Sequence, residues 1–117
     1  MFRVIIAGSR DFDDYDLLKF KMDNLLRYKN DGICVVCGEA KGADTLGRQY
    51  AEERGYTILS FPANWYEYGK KAGYLRNIEM AENADALVAF WNGESRGTKH
   101  MIDTANKYGL QIRIIKV

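Results

Sequence analysis

Between Asn92 and Thr98 the chain reads Asn-Gly-Glu-Ser-Arg-Gly-Thr, directly after the apolar run Ala86 to Trp91. Strand, glycine loop and helix in that order form an anion-binding turn. Backbone N–H groups at a helix start have no partner within the helix, and the helix dipole adds partial positive charge there. Gly93 and Gly97 let a phosphate approach the backbone without a Cβ in the way. Arg96 offers a planar, bidentate clamp, and Thr98 opens the helix. A surface turn that uses its glycines only for geometry would look the same. A second glycine loop, Gly8-Ser9-Arg10, ends the first apolar run. Ser9 and Arg10 suit a ribose or phosphate, or Ser9 merely caps its own turn.

Other residues offer more equivocal chemistry. Asp44 can hydrogen-bond a ribose or base, yet a first-turn acid suffices to explain it. Lys41 suits a phosphate or a solvated loop. Arg76 and Asn77 share a helix with Lys70 and Lys71. Trp65, Tyr66, Tyr68 and Tyr74 can stack on a base, cover a core edge or meet a second subunit. Asp11, Asp13, Asp14 and Asp16 can hold a hydrated Mg²⁺ beside phosphates, or simply face a helix dipole. His100 lies in the first turn of a helix, with no partner evident in the sequence.

The elements that carry these residues follow from periodicity and breakers. Phe2 to Ala7 reads as strand one, ending at Gly8. Tyr15 to Asn30 spaces its apolar residues as an amphipathic helix. Ile33 to Cys37 is strand two, and Gly38 to Gly42 a loop. Asp44 to Arg54 is a helix stopped by Gly55. Tyr56 to Phe61 is strand three, halted by Pro62, and Ala63 to Gly69 is an aromatic-rich loop. Lys70 to Asn83 is helical, Ala86 to Trp91 strand four, Thr98 to Tyr108 a helix, and Leu110 to Val117 strand five. The strands are almost continuously apolar, as strands covered on both faces are. The expected fold is α/β, a Rossmann-like open parallel five-stranded sheet in the order 3-2-1-4-5, with helices on both faces. Ligands in such sheets bind where the strand order reverses. Here that is between strands one and four, where the two glycine loops meet.

Bulk properties narrow the function. The 117 residues predict one domain, 1–117. A net charge of +1 argues against a nucleic-acid partner. No apolar run suits a bilayer or a signal peptide, which predicts a cytoplasmic protein. Cys34 and Cys37 lie in a buried strand rather than at a helix start, and zinc would need two further ligands. They are expected to stay reduced and metal-free. Eight Tyr and two Trp in so small a domain predict a homo-oligomer, most simply a dimer.

Five ordered motifs carry a family likeness. They are Gly8-Ser9-Arg10-Asp11-Phe12, Gly38-Glu39-Ala40-Lys41-Gly42-Ala43-Asp44, Ala72-Gly73-Tyr74-Leu75-Arg76-Asn77, then Asp85, and Ser95-Arg96-Gly97-Thr98. In order, these resemble the motifs of the small YspA/YpsA-like branch of the SLOG superfamily, found in bacteria and phages. The superfamily also includes the lonely-guy phosphoribohydrolases and DprA. The resemblance implies a nucleotide or nucleotide-derived ligand held at Gly8, Ser9, Arg10, Gly38, Gly42, Ala43, Asp44, Arg76, Asn77, Trp91, Gly93, Ser95, Arg96, Gly97 and Thr98. No cofactor is called for beyond a Mg²⁺ that a bound nucleotide would bring, and the resemblance too points to dimers. The phosphoribohydrolases carry a glutamate three positions after the threonine of their glycine turn. That position is Met101 here. The resemblance therefore implies binding, as sensor, carrier or sink, more directly than N-glycosidic hydrolysis or transfer on nucleoside monophosphates. Glu79, Glu94 and Asp103 are the acids that would have to substitute.

Overall fold

The computed structural model describes residues 1–29 and 31–117. Five strands, β1 (Phe2–Gly8), β2 (Ile33–Cys37), β3 (Thr57–Ser60), β4 (Ala86–Trp91) and β5 (Gln111–Lys116), alternate with helices. These are α1 (Tyr15–Leu25), α2 (Ala43–Arg54), α3 (Trp65–Tyr68), α4 (Ala72–Glu82) and α5 (Arg96–Lys107). A 3₁₀ turn, Gly69–Lys71, joins α3 to α4. All strand pairs are parallel, in the expected order β3-β2-β1-β4-β5.

Alternate side chains of each strand enter opposite cores. On one face Val4, Ile6, Val35, Val88 and Phe90 pack with Leu18 and Met22 of α1 and Tyr50 of α2. On the other, Ile5, Ala7, Val36, Leu87 and Ala89 pack with Met80 of α4 and Met101 of α5. Ser9 to Asp14, Gly38 to Gly42 and Asn92 to Ser95, the loops that leave β1, β2 and β4, therefore gather at one end of the sheet. Among the described residues no helix is long and apolar enough to cross a membrane.

Three differences from expectation have a visible physical reason, and the remaining element ends shift by at most two residues. Helix α1 stops at Leu25, and its expected end, Asn30, lies outside the described residues. Beyond the buried Leu26, the residues Arg27, Tyr28 and Lys29 are all exposed, so no apolar face continues to hold a helix. The loop expected from Ala63 to Gly69 contains α3. Asn64 caps it, its Oδ1 accepting from the Glu67 amide at 3.1 Å while its Nδ2 donates to the Glu67 carboxylate. Asn64 is thus the N-cap, and its side chain is tied to that of Glu67 across the first turn. Helix α5 begins at Arg96, two residues before the expected Thr98, because Ser95 is its N-cap.

Candidate functional site

The strand-end loops are stitched together from within. Ser9 is fully buried, and its Oγ accepts a hydrogen bond from the Asn92 amide at 2.9 Å. It joins the β1 and β4 loops and does not face solvent. Ala43 N donates to Ser9 O, which brings in the start of α2. Gly42 makes this approach with φ +77°, and a Cβ there would lie 2.2 Å from Ser9 O. No other residue type fits that position.

Helix α5 starts against this platform. Asn92 Oδ1 accepts from the amides of Glu94 and Ser95, at 2.8 and 2.9 Å. Ser95 Oγ accepts from Thr98 N and lies 3.0 Å from Thr98 Oγ1. Trp91 Nε1 donates to Ser95 O at 3.1 Å. These caps occupy several donors that an anion was expected to meet. They leave the Arg96 and Gly97 amides of the first turn over.

Opposite α5 stands the Gly38–Asp44 segment. Asp44, 5% exposed, accepts from the Ala40 amide at 3.4 Å. Burial pushes its carboxyl up to about 6, against the opposing pull of Arg76 and the Ala40 and Gly38 amides. The Arg76 guanidinium donates to Gly38 O and, through Nε, to Asn77 Oδ1 at 3.1 Å. A Cβ on Gly38 would lie 2.5 Å from Arg76 Nη1 and 2.9 Å from Asp44 Oδ2. Gly38 is therefore what lets the arginine and the carboxylate share this corner. Glu39 next to it holds a left-handed φ of 58° and pairs with Arg48 at 3.0 Å. Burial and the nearby charge of Arg10 lower the pKa of Arg76, and Asp44 opposes them.

These groups enclose a cavity of about 200 Å³. Of the expected site residues, Gly8, Arg10, Asp44, Arg76, Asn77, Ser95, Gly97 and Thr98 line it. Gly38 lines an adjoining cavity. Ser9, Gly42 and Ala43 form the packed support just described, Ala43 being fully buried. Trp91 braces the β4 loop, Gly93 lies beside Lys116, and Arg96 points outward as an exposed first-turn residue. All three stand outside the lining. Lys70, Ala40 and Met80 line the cavity without having been singled out for it. Their only sequence signal was proximity to Arg76 and Asp44.

Met101, 1% exposed, also lines the cavity, so a thioether faces the site where the phosphoribohydrolases carry glutamate. Glu79, Glu94 and Asp103 are exposed and line nothing here, and Asp103 pairs with Lys99 at 3.0 Å. Asp44 is the one carboxylate in the lining. Among the described residues no group of three or more His, Cys, Asp or Glu is placed to hold a metal. Asp14 is instead the N-cap of α1.

Comparison with known proteins matches residues 2–68 to the YspA, cpYpsA-related SLOG family. The chain is 37% identical to the Gene 61 protein of Mycobacterium phage D29, over 96% of this chain and 94% of that protein. Its fold is similar to DprA, the DNA processing protein A of Streptococcus pneumoniae, with a TM-score of 0.78 at 17% identity. That match covers 99% of this chain, which spans half the length of the DprA chain. The fold is also similar to the protein TM1055, with a TM-score of 0.70 at 22% identity, over 96% of this chain and 72% of that one.

Proposed function

Because the chain belongs to the YspA, cpYpsA-related SLOG family, we propose that it binds a nucleotide or nucleotide-derived molecule at the carboxyl ends of β1 and β4, as a sensor, carrier or sink. One observation carries this reading. Arg10, Arg76 and the first turn of α5 converge with a buried carboxylate on a single cavity where the strand order reverses. The arginines and the free Gly97 amide suit phosphate oxygens. Asp44 and Asn77 suit ribose hydroxyls, and the half-exposed rings of Trp65 and Tyr74 suit a base. Any Mg²⁺ would arrive with the ligand's phosphates.

The test is calorimetry and thermal melting with AMP, ADP, ATP, GTP, NAD, ADP-ribose and cyclic nucleotides. A bound ligand at ~100 times its dissociation constant adds roughly 2.7 kcal/mol to stability. At least one should stabilise the protein, and no effect from any at millimolar concentration would defeat the proposal.

Asp44 supports a second, enzymatic reading, N-glycosidic hydrolysis or transfer. A carboxyl raised to about 6 is suited to proton transfer near neutrality. Developing positive charge on a ribose also needs a carboxylate beside it, and the neighbouring Met101 has none to offer. Incubation with nucleoside monophosphates should therefore release little free base. Multiple turnovers in a chromatographic assay, abolished by Asp44→Asn, would establish the enzyme instead.

A further inference from the structure

The shape of the site says more about the ligand than its residue types do. The cavity beneath α5 holds about 200 Å³, smaller than the ~300–1,000 Å³ of ordinary small-molecule sites. A second cavity of about 360 Å³ adjoins it, reaching from Gly38 to Pro62 and Ala63. Arg10, Ala40, Trp65 and Arg76 line both. These four residues thus form a shared seam where the two cavities border each other.

The seam is where the positive charge is concentrated. Arg10 and Arg76 lie on it, Lys70 stands at the inner cavity and Lys41 at the outer one. Two carboxylates could offset them. Asp44 is in the inner cavity, and Glu39, in the outer one, is already held by Arg48. Arg10 lies near enough for its charge to add to the effect of burial in lowering the pKa of Arg76. Four cations against two carboxylates, one of them held by Arg48, leave the two cavities net positive, which suits an anionic ligand. Two arginines on the seam, with a lysine in the cavity on either side, suit two linked phosphates better than one. The outer cavity adds apolar surface from Pro62 and Ala63 beside the Trp65 ring of the seam, which suits a sugar or base. The edge of the Trp65 ring passes close to Gly73, where an added Cβ would come within 3.3 Å of it.

We propose that the ligand is two-headed, with one nucleoside- or sugar-sized group in each cavity, joined by a diphosphate that crosses between Arg10 and Arg76. This rests on the nucleotide-binding reading and narrows it to diphosphate-bridged molecules. A mononucleotide fills one side only.

Calorimetry on the full chain, at one salt concentration, compares AMP and ADP with ADP-ribose and NAD. At least one two-headed probe should bind ten-fold or more tighter than AMP and ADP. Ala63→Phe, which fills the outer cavity, should bring that probe down to the mononucleotide level while AMP is unaffected. Lys41→Ala, at an exposed position that cannot disturb the core, should weaken the two-headed probe alone. AMP or ADP binding as tightly as both two-headed probes, or equal losses for all probes in Lys41→Ala, would overturn the two-headed ligand and leave nucleotide binding standing. No binding by any probe would overturn both.

Discussion

Asn77 Nδ2 lies 3.1 Å from Nδ1 of His100, and the rest of the Asn77 amide determines what that contact means. Its Oδ1 accepts from Arg76 Nε, which always donates, so the Nδ2 side faces Gly97 O and the imidazole. His100 Nδ1 is then the acceptor and the proton sits on Nε2, towards Thr104. A chain of hydrogen bonds runs from α5 through Asn77 and Arg76 to Gly38 O. The Tyr74 ring stacks on the imidazole at 4.2 Å between centroids.

The first prediction follows from that chain. Burial holds the His100 pKa below its ordinary value, with Asp103 opposing. The folded state thus binds the proton less readily than the unfolded chain. Stability from this group is present above the ordinary histidine pKa of about 6.5 and is lost as pH falls through the lower folded value. His100 is the only histidine, so one imidazole resonance reports it. Its NMR midpoint should fall below 6.5, and Asn77→Ala should raise it by removing a donor that favours the neutral ring. An unmoved midpoint in Asn77→Ala would mean that the amide does not hold the ring.

Asp44 behaves oppositely in sign. Its folded pKa is raised to about 6, so the folded state binds the proton more tightly. Stability from this group is greatest below the ordinary carboxyl pKa and declines as pH rises through 6. The ionised side chain then costs roughly 3 kcal/mol. Asp44→Asn should raise the melting temperature of the free protein at pH 7.5, and the gain should vanish near pH 4. The same variant should bind the ligand more weakly. Lower stability at pH 7.5 than the parent would show that Asp44 holds the loop rather than strains it.

Two arginines should separate cleanly. Arg76 lines both cavities and Arg96 neither. Arg76→Ala should weaken a phosphate-bearing ligand by about 1.5–3 kcal/mol. Arg96→Ala, an exposed change, should stay within about 0.5 kcal/mol. The reverse order in calorimetry would move the phosphate to the outer side of the α5 start.

Cys34 and Cys37 are buried and free, and burial raises both thiol pKa values. Cys37 Sγ also lies 3.7 Å from Ser60 Oγ. Both thiols should react with a disulfide reagent only as fast as the protein unfolds, and should bind no zinc. Stoichiometric labelling within seconds under native conditions would contradict the buried strand.

The exposed aromatics carry the expectation of self-association. Tyr66 is fully exposed, and Trp65, Tyr68 and Tyr74 are about half exposed, along α3 and the start of α4. Light scattering at tens of micromolar should give a dimer mass, and Tyr66→Ser should shift it towards monomer. A monomer mass for the parent would end that expectation.

Much of this architecture was written in local pattern. Runs such as Ile33 to Cys37 and Ala86 to Trp91 are too apolar for a one-sided sheet, and the glycines that close them have few alternative uses. A parallel sheet, its strand order and the meeting of the β1 and β4 loops follow from that, because crossover handedness leaves few other topologies. Arg10, Asp44, Arg76 and Asn77 are candidates in the sequence too, each beside a plainer reading, and Arg76 is raised above its plainer reading only by the family likeness. Their division of labour is not legible there, because it depends on contacts between residues far apart in the chain. Ser9 and Asn92 sit 83 residues apart, and only folding turns the serine hydroxyl inward to staple two loops. Ser95 and Asn92 satisfy the Glu94, Ser95 and Thr98 amides that the sequence offers to a phosphate. Burial decides the rest: Asp44 is an ordinary first-turn acid in sequence. It becomes a carboxyl titrating near 6 only when Gly38, Arg76 and the sheet end close over it, since desolvation is a property of the packed surroundings and not of the residue.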